Sequence, residues 1–538
     1  MEVFLFMETA EYLTCERRQI HVICEKGRAT TQITLDDDHN LAEYKPDILK
    51  IVEKSGQVRL EEIKIEPDVV RLRGVLHFEV LYRCAAEDGG FAHMSGDLPF
   101  QEHVRVEGAQ EYDSVYADPQ IEDLSVTLIN SRKLGIRSLI TIHLELREPC
   151  VHDLAESLIQ PREEQMQNLQ MRTKEAEAME LLVQKKDTSR FRTSLSLPSN
   201  KPGIQEILWY SLQPRGIESR AEEGILVLSG EIFVHMVYRS AEEADQLQCL
   251  ELAVPMQTQI EVLEADPQVT AWVRVRLAGG ELETDESFDG EERQLRLEAL
   301  LEIDYTLWQE RTFTLLEDIY ATDQQLNCIQ TPVILQRLII KNDSRFRLNE
   351  RMELETTGAV LQICSCTGDV QVEEVTPAVG RLDVSGLLRL RLLYIAADDE
   401  MPLVTVEKML PFQEAVEVPG LDPETMDISY ELEAGIDQLT STLLDQSQVE
   451  CKAQIRLCVI VFENQTIRNM ESIEAVPLDR EQMRNLPGMV GYIVRNGENM
   501  WDIAKRYRVT IPQLQAWNGM GTEQVRPGDK LMIVNTIG

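Results

Sequence analysis

Apolar and polar side chains alternate with a period of two along much of this chain, and one stretch of that alternation occurs three times. Counting from Gly74, the even positions are Leu76, Phe78, Val80 and Tyr82. From Gly230 they are Ile232, Val234, Met236 and Tyr238, and from Gly386 they are Leu388, Leu390, Leu392 and Tyr394. The positions between include His77, Glu79, His235, Arg389 and Arg391. Such a pattern predicts an antiparallel strand with one face on a core and the other wet.

The three glycines stand 156 residues apart in both intervals. Each is followed at the same distance by a tyrosine (Tyr82, Tyr238, Tyr394) and further on by a proline (Pro99, Pro255, Pro411). The prolines sit in Leu98-Pro-Phe-Gln101, Val254-Pro-Met-Gln257 and Leu410-Pro-Phe-Gln413. Upstream, Lys45-Pro46 and Lys201-Pro202 keep the offset, whereas the third copy has Thr357-Gly358. Gapless agreement at so many anchors establishes an internal repeat. The glycine is expected at a bulge or a close backbone approach, and the proline at a strand start or a sheet edge where no ladder bond is forfeited.

Further strands are predicted over 139–146, 295–307 and 449–462. The charged stretch Glu163 to Lys186 is rich in helix formers, with Met166, Leu169, Ala176, Met179 and Leu182 among its apolar positions. It reads as a helix between repeats. Units then resume with Ser189-Arg-Phe-Arg192 and Ser344-Arg-Phe-Arg347. A repeat this long describes domains in tandem rather than stacked solenoid units. The expected division is 1–160, 161–315 (with an N-terminal helical linker) and 316–470, then a linker over 471–489 and a small module over 490–535. The expected fold is mainly β with connecting helices: three sandwich-like antiparallel repeat domains and a small βααβ domain.

The C-terminal module changes register after Pro487-Gly488. Tyr492 and Val494 open a strand, and Met500, Ile503, Ala504 and Tyr507 form the apolar stripe of a helix that Asn499 can cap. Thr510 and Gln513 have capping-box spacing for a second helix, which Gly519 closes. Pro527-Gly528 turns into a last strand with Leu531 and Ile533.

Composition narrows the function. Fifty-three Lys and Arg against 93 Asp and Glu give a net charge of −40. That disfavours nucleic acid, whose binding depends on cations displacing counterions, and an anionic membrane surface. The N-terminus MEVFLFMETAEYL has no basic region and no small-residue cleavage site, so a cytosolic location is expected; no apolar run suggests membrane insertion. Ten scattered cysteines are expected to be reduced core residues; Cys364-Ser-Cys366, the one close pair, has neither zinc-knuckle nor thioredoxin spacing. No metal or cofactor is expected.

Tyr492, Val494, Gly497, Trp501, Ile503, Ala504, Tyr507, Leu514, Asn518, Gly528, Leu531 and Ile533 fall at the spacing of a LysM module, which this segment closely resembles. The resemblance implies a shallow groove for N-acetylglucosamine-containing glycans, formed by the loop after the first strand and the loop before the last. The candidate contacts are Gly497, Glu498, Asn499, Met500, Gly519, Met520, Glu523 and Val525, with Tyr492, Trp501, Ile503, Leu514, Asn518 and Gly528 structural. Asn499 stands where the family has Thr or Ser: it caps equally well but offers no hydroxyl to a sugar. Trp501 is expected in the module's core. The repeat, through Lys45-Pro-Asp-Ile48 and the strands ending at Tyr82, Tyr238 and Tyr394, resembles the SPOCS domain of clostridial spore-envelope proteins.

Three such units with a C-terminal LysM are similar to the SipL-like spore coat morphogenetic proteins. That resemblance implies a mother-cell protein at the forespore surface, binding the coat's basement-layer ATPase SpoIVA. A glycan-binding protein acting through LysM is one alternative. A cell-wall hydrolase is the other, but its chemistry is not legible. All eight histidines lie at or before His235, and there is no His-Glu-x-x-His, P-loop or Gly-x-Ser-x-Gly motif. Glu61-Glu62, Glu222-Glu223 and Asp398-Asp399 read as solvated turns, and His77 and His235 as surface or sheet-face residues. The expectation is a non-enzyme.

Overall fold

In the computed structural model, residues 11–85, 90–159, 168–242, 247–285, 293–354, 358–398, 401–478 and 488–534 are described. Positions 163–167 of the expected helix, Thr357, Asp399 and Pro487 lie outside them. A short strand β1 (Glu11–Leu13) precedes three units of six strands each. Unit 1 comprises β2 (Cys15–Asn40), β3 (Ile48–Glu66), β4 (Val69–Cys84), β5 (Phe91–Arg105), β6 (Ser114–Asn130) and β7 (Lys133–Leu158). Unit 2 comprises β8 (Leu169–Ser196), β9 (Ile204–Glu222), β10 (Ile225–Ser240), β11 (Leu247–Glu261), β12 (Thr270–Asp285) and β13 (Gln294–Ala321). Unit 3 comprises β14 (Gln324–Glu353), β15 (Val360–Ala378), β16 (Arg381–Ala396), β17 (Leu403–Glu417), β18 (Ile428–Leu443) and β19 (Gln448–Pro477).

Every unit holds two antiparallel sheets, a meander (β3-β4-β5 and its equivalents) and a sheet of long strands (β2-β7-β6 and its equivalents). Their apolar faces close on one core per unit. The alternating residues of the repeat strand supply that core: Leu76, Phe78, Val80 and Tyr82 are fully buried, as are their counterparts from Ile232 to Tyr394 to within 2%. Tyr82 donates its hydroxyl proton to the Pro46 carbonyl (3.1 Å), and Tyr238 does the same to Pro202 (3.0 Å). This accounts for a tyrosine recurring with a Lys-Pro upstream: a buried phenol needs an acceptor. Gly74 faces Phe100 across the ladder, Gly230 faces Met256 and Gly386 faces Phe412. A Cβ at Gly74 would lie 2.7 Å from both the Arg59 carbonyl and the Phe100 ring. The repeat glycine is therefore a close approach. Pro99, Pro255 and Pro411 lie on β5, β11 and β17, the edges of the meanders.

Several expectations need correction. The stretch 169–186 is not helical: Leu169–Ser196 is one strand, paired with β13 from Gln294↔Ser196 to Ala321↔Leu169. Its Ala176 and Ala178 are buried at a spacing of two, so long-range pairing overrides the helix propensity of the surrounding Glu, Lys and Met. Unit boundaries at 315 and 470 would cut β13 and β19; the chain passes between units 2 and 3 after Ala321, and 471–477 belongs to β19. Glu61 and Glu62 lie exposed within β3 rather than in a turn. Two cysteines, Cys249 and Cys364, form a disulfide; the other eight form none.

The three units close around a common centre instead of trailing as beads. The lower halves of the long strands meet there, burying Ile20 and Leu154 of unit 1, Ala178 and Phe313 of unit 2, and Val333 and Leu335 of unit 3. The meanders meet in a second three-sided cluster containing Leu81, Val237 and Leu393. These residues precede each repeat tyrosine by one position, on the strand face that the alternation marks as wet; neighbouring units, not water alone, cover it. Each seam is closed by cations reaching across to backbone carbonyls. Arg276 donates to Ala117 (3.2 Å), Arg215 to Cys366 (3.1 Å) and Leu439 (3.2 Å), and Arg389 to Ile121 (3.1 Å) and Glu122 (2.8 Å). Strand β1 adds to β19, tying the chain's start to unit 3.

Candidate functional site

The C-terminal module is built on strands β20 (Met489–Ile493) and β21 (Lys530–Val534) and helices α1 (Met500–Tyr507) and α2 (Ile511–Asn518). Asn499 caps α1, its Oδ1 accepting from the Asp502 N–H at 2.8 Å. Thr510 and Gln513 complete the capping box of α2, and Gly519 ends that helix with φ +60°. Ile503 and Leu514 are fully buried, and Asn518 bridges α2 to β21, donating to Met532 O (2.9 Å) and accepting from Met532 N (2.6 Å). Gly528, at φ +94°, donates to Val494 O at 2.8 Å.

The expected groove loops do not present all the side chains that the sequence assigns to them. Gly497, Asn499, Gly519 and Glu523 are exposed. Met500 is 1% exposed, so it belongs to the core; Met520 and Val525 are half-buried against that core. Glu498 is occupied internally. Its carboxylate accepts from Tyr492 Oη (2.6 Å), Arg506 (2.9 Å) and the Arg495 N–H (3.0 Å), and the tyrosine bond above all holds it down to about 2.

Trp501 is buried, but part of its cover comes from unit 2. Its Nε1 donates to Asp318 Oδ2 (2.8 Å), and Lys505 donates to Asp318 Oδ1 (2.6 Å). Tyr320 packs into the module's core and donates to Val509 O at 2.8 Å. No sequence signal marks Asp318 or Tyr320, because a contact between distant segments leaves no local period.

Family models match at three places. The description "SipL, SPOCS domain" covers residues 47–129 and 359–444, and "LysM domain" covers 492–534. The chain carries SPOCS and LysM domains. The first match points to a spore-coat-related role and the second to peptidoglycan binding. Unit 2, between the SPOCS matches, repeats their strand order and pairing. No curated protein and no solved structure matches the chain.

The three units line an open cavity of about 1320 Å³. Three of its guanidinium groups are committed to the seams: Arg276 pairs with Asp118 (2.7 Å), Arg274 stacks on Tyr116 (4.0 Å) and pairs with Glu431 (2.9 Å), and Arg391 donates to Lys54 O (2.9 Å). Glu433 is pushed up to about 7 by burial, against the pull of Arg274 and Arg456. His235, expected on a surface or a sheet face, lies on the face of β10 that meets unit 3 and is 2% exposed there. Burial, and then the charge of Arg215, lower it to about 3. His77 is half-exposed and bonded to Asp97 at 2.7 Å. The two histidines share no site. Among the described residues no group of three or more His, Cys, Asp or Glu could hold a metal, and no helix is long and apolar enough to cross a membrane.

Proposed function

We propose that the chain is a non-enzymatic scaffold or adaptor of bacterial spore coat assembly. Through its repeats and its LysM module together it would bind a morphogenetic partner, the basement-layer ATPase SpoIVA, on the mother-cell side of the forespore. One observation carries this reading most: three SPOCS-type units are joined at every seam into a single body, with a LysM domain held on its outside. The cavity between the units supports the same reading, since its guanidinium groups are spent on neighbouring backbone and carboxylates rather than left free for a substrate. A second reading, glycan recognition through LysM, is favoured by the exposed Gly497, Asn499, Gly519 and Glu523.

The test is a pull-down from sporulating cells with the full chain and with a chain lacking 490–538. Loss of one dominant coat protein on truncation supports the scaffold. Binding of N-acetylglucosamine oligomers without any protein partner favours the second reading. Release of reducing ends from peptidoglycan by the full chain would overturn the non-enzymatic assignment.

A further inference from the structure

The LysM domain follows unit 3, whose last strand ends at Pro477, yet it seats on unit 2. The seat is the end of β13, where Asp318 and Tyr320 alternate along the strand and so present side chains to one face. Asp318 receives both the indole N–H of Trp501 and the ammonium of Lys505. Although burial raises its pKa, those two bonds hold the carboxyl below the usual range. The Tyr320 ring meets the Trp501 ring edge-on, with centroids 5.0 Å apart, and the Arg172 guanidinium lies 5.3 Å from the indole. Trp501 retains 8% of its surface, and its N–H is taken.

We propose that Trp501 is a clasp to the SPOCS body and not a platform for ligand. The indole, Lys505 and the Val509 carbonyl recognise the acid and the phenol of unit 2, and this fixes the direction in which the LysM loops face. A charged hydrogen bond, a buried phenol and an edge-on aromatic pair acting together are strong enough to hold a small domain in one orientation. Whatever the module binds then meets Gly497 to Asn499 and Gly519 to Glu523, on a frame oriented by the body. This rests on the reading of LysM as a recognition module only for its consequence; the clasp itself stands on the contacts.

Hydrogen exchange of the full chain, followed by mass spectrometry, tests it. Asp318→Lys places a cation against Lys505 and should speed exchange at least ten-fold in both 316–322 and 500–509, leaving 74–84 unchanged. Combining it with Lys505→Asp reverses the ion pair and should restore protection in part, because the ammonium now at 318 cannot accept from the Trp501 N–H. Asp318→Asn, which keeps the shape, should give an intermediate result. Unchanged exchange in both segments for Asp318→Lys would overturn the clasp, and so would equal loss of protection in 74–84, which would mark general unfolding. Neither result depends on whether a coat partner or a glycan is captured, so the clasp can fail while the scaffold reading stands, and the reverse.

Discussion

At Gly74 and Gly386 the first atom of any side chain collides with backbone, and at Gly230 with the Ile217 side chain. A Cβ at Gly386 would stand 2.3 Å from the Gln371 carbonyl and 2.7 Å from the Phe412 ring. Gly386→Ala is therefore expected to destabilise unit 3 by about 1–3 kcal/mol, as overpacking does, read as a lower denaturant midpoint. Tyr82→Phe should cost about 1 kcal/mol by leaving the Pro46 carbonyl without its donor. His235 supplies a pH effect. Its folded pKa, about 3, lies below the ordinary value near 6.5, so the fold favours the neutral ring. Its contribution is whole above about pH 6.5 and is drawn off as pH falls toward 3. Its ring resonances should stay flat between pH 8 and 5, and an ordinary titration near 6.5 would show that the seam against Arg215 is open. Glu498 behaves in the opposite sense to a raised acid: its depressed pKa, about 2, adds stability above the usual carboxylate range, lost as pH falls through about 2. Glu498→Gln should loosen β20 and α1 at neutral pH, seen as faster exchange there.

At the scale of elements, the sequence was most legible where one residue determines one local geometry. The strand from Gly74 to Tyr82 and its two copies, the edge prolines and both helix caps of the LysM domain follow from alternation and capping chemistry alone. The stretch 169–186 was misread for a related reason: its Glu, Lys, Met and Ala favour a helix locally, but its neighbour in the fold is β13, more than a hundred residues on. A strand whose identity is settled by its partner carries little signal of its own. The same limit hid Asp318 and Tyr320, which are ordinary residues of a strand end until the LysM domain is placed on them. It also hid the role of His235, since alternation marks a second face but not what covers it.

At the scale of the molecule, the repeat predicted three domains but not their closure on one another, because seams made of guanidinium-to-carbonyl bonds have no fixed sequence pattern. Closure gives the cysteines a meaning that composition did not. Cys249 of β11 and Cys364 of β15 are buried at the junction of units 2 and 3, 115 residues apart in the chain. A link spanning that distance restricts the unfolded chain, an effect of about 4–5 kcal/mol at most by the loop-entropy relation. Reduction should therefore lower the unfolding temperature of the wild type and leave Cys249→Ser unaffected. The most direct test of the central claim, that the units share one centre, is peptide mapping of the full chain after mild oxidation with a dipyridyl disulfide and digestion without reductant. Closure predicts a cross-linked peptide pair joining Cys249 of unit 2 to Cys364 of unit 3. Units strung out in tandem would leave both residues modified singly, and finding them so in the folded protein would contradict the account.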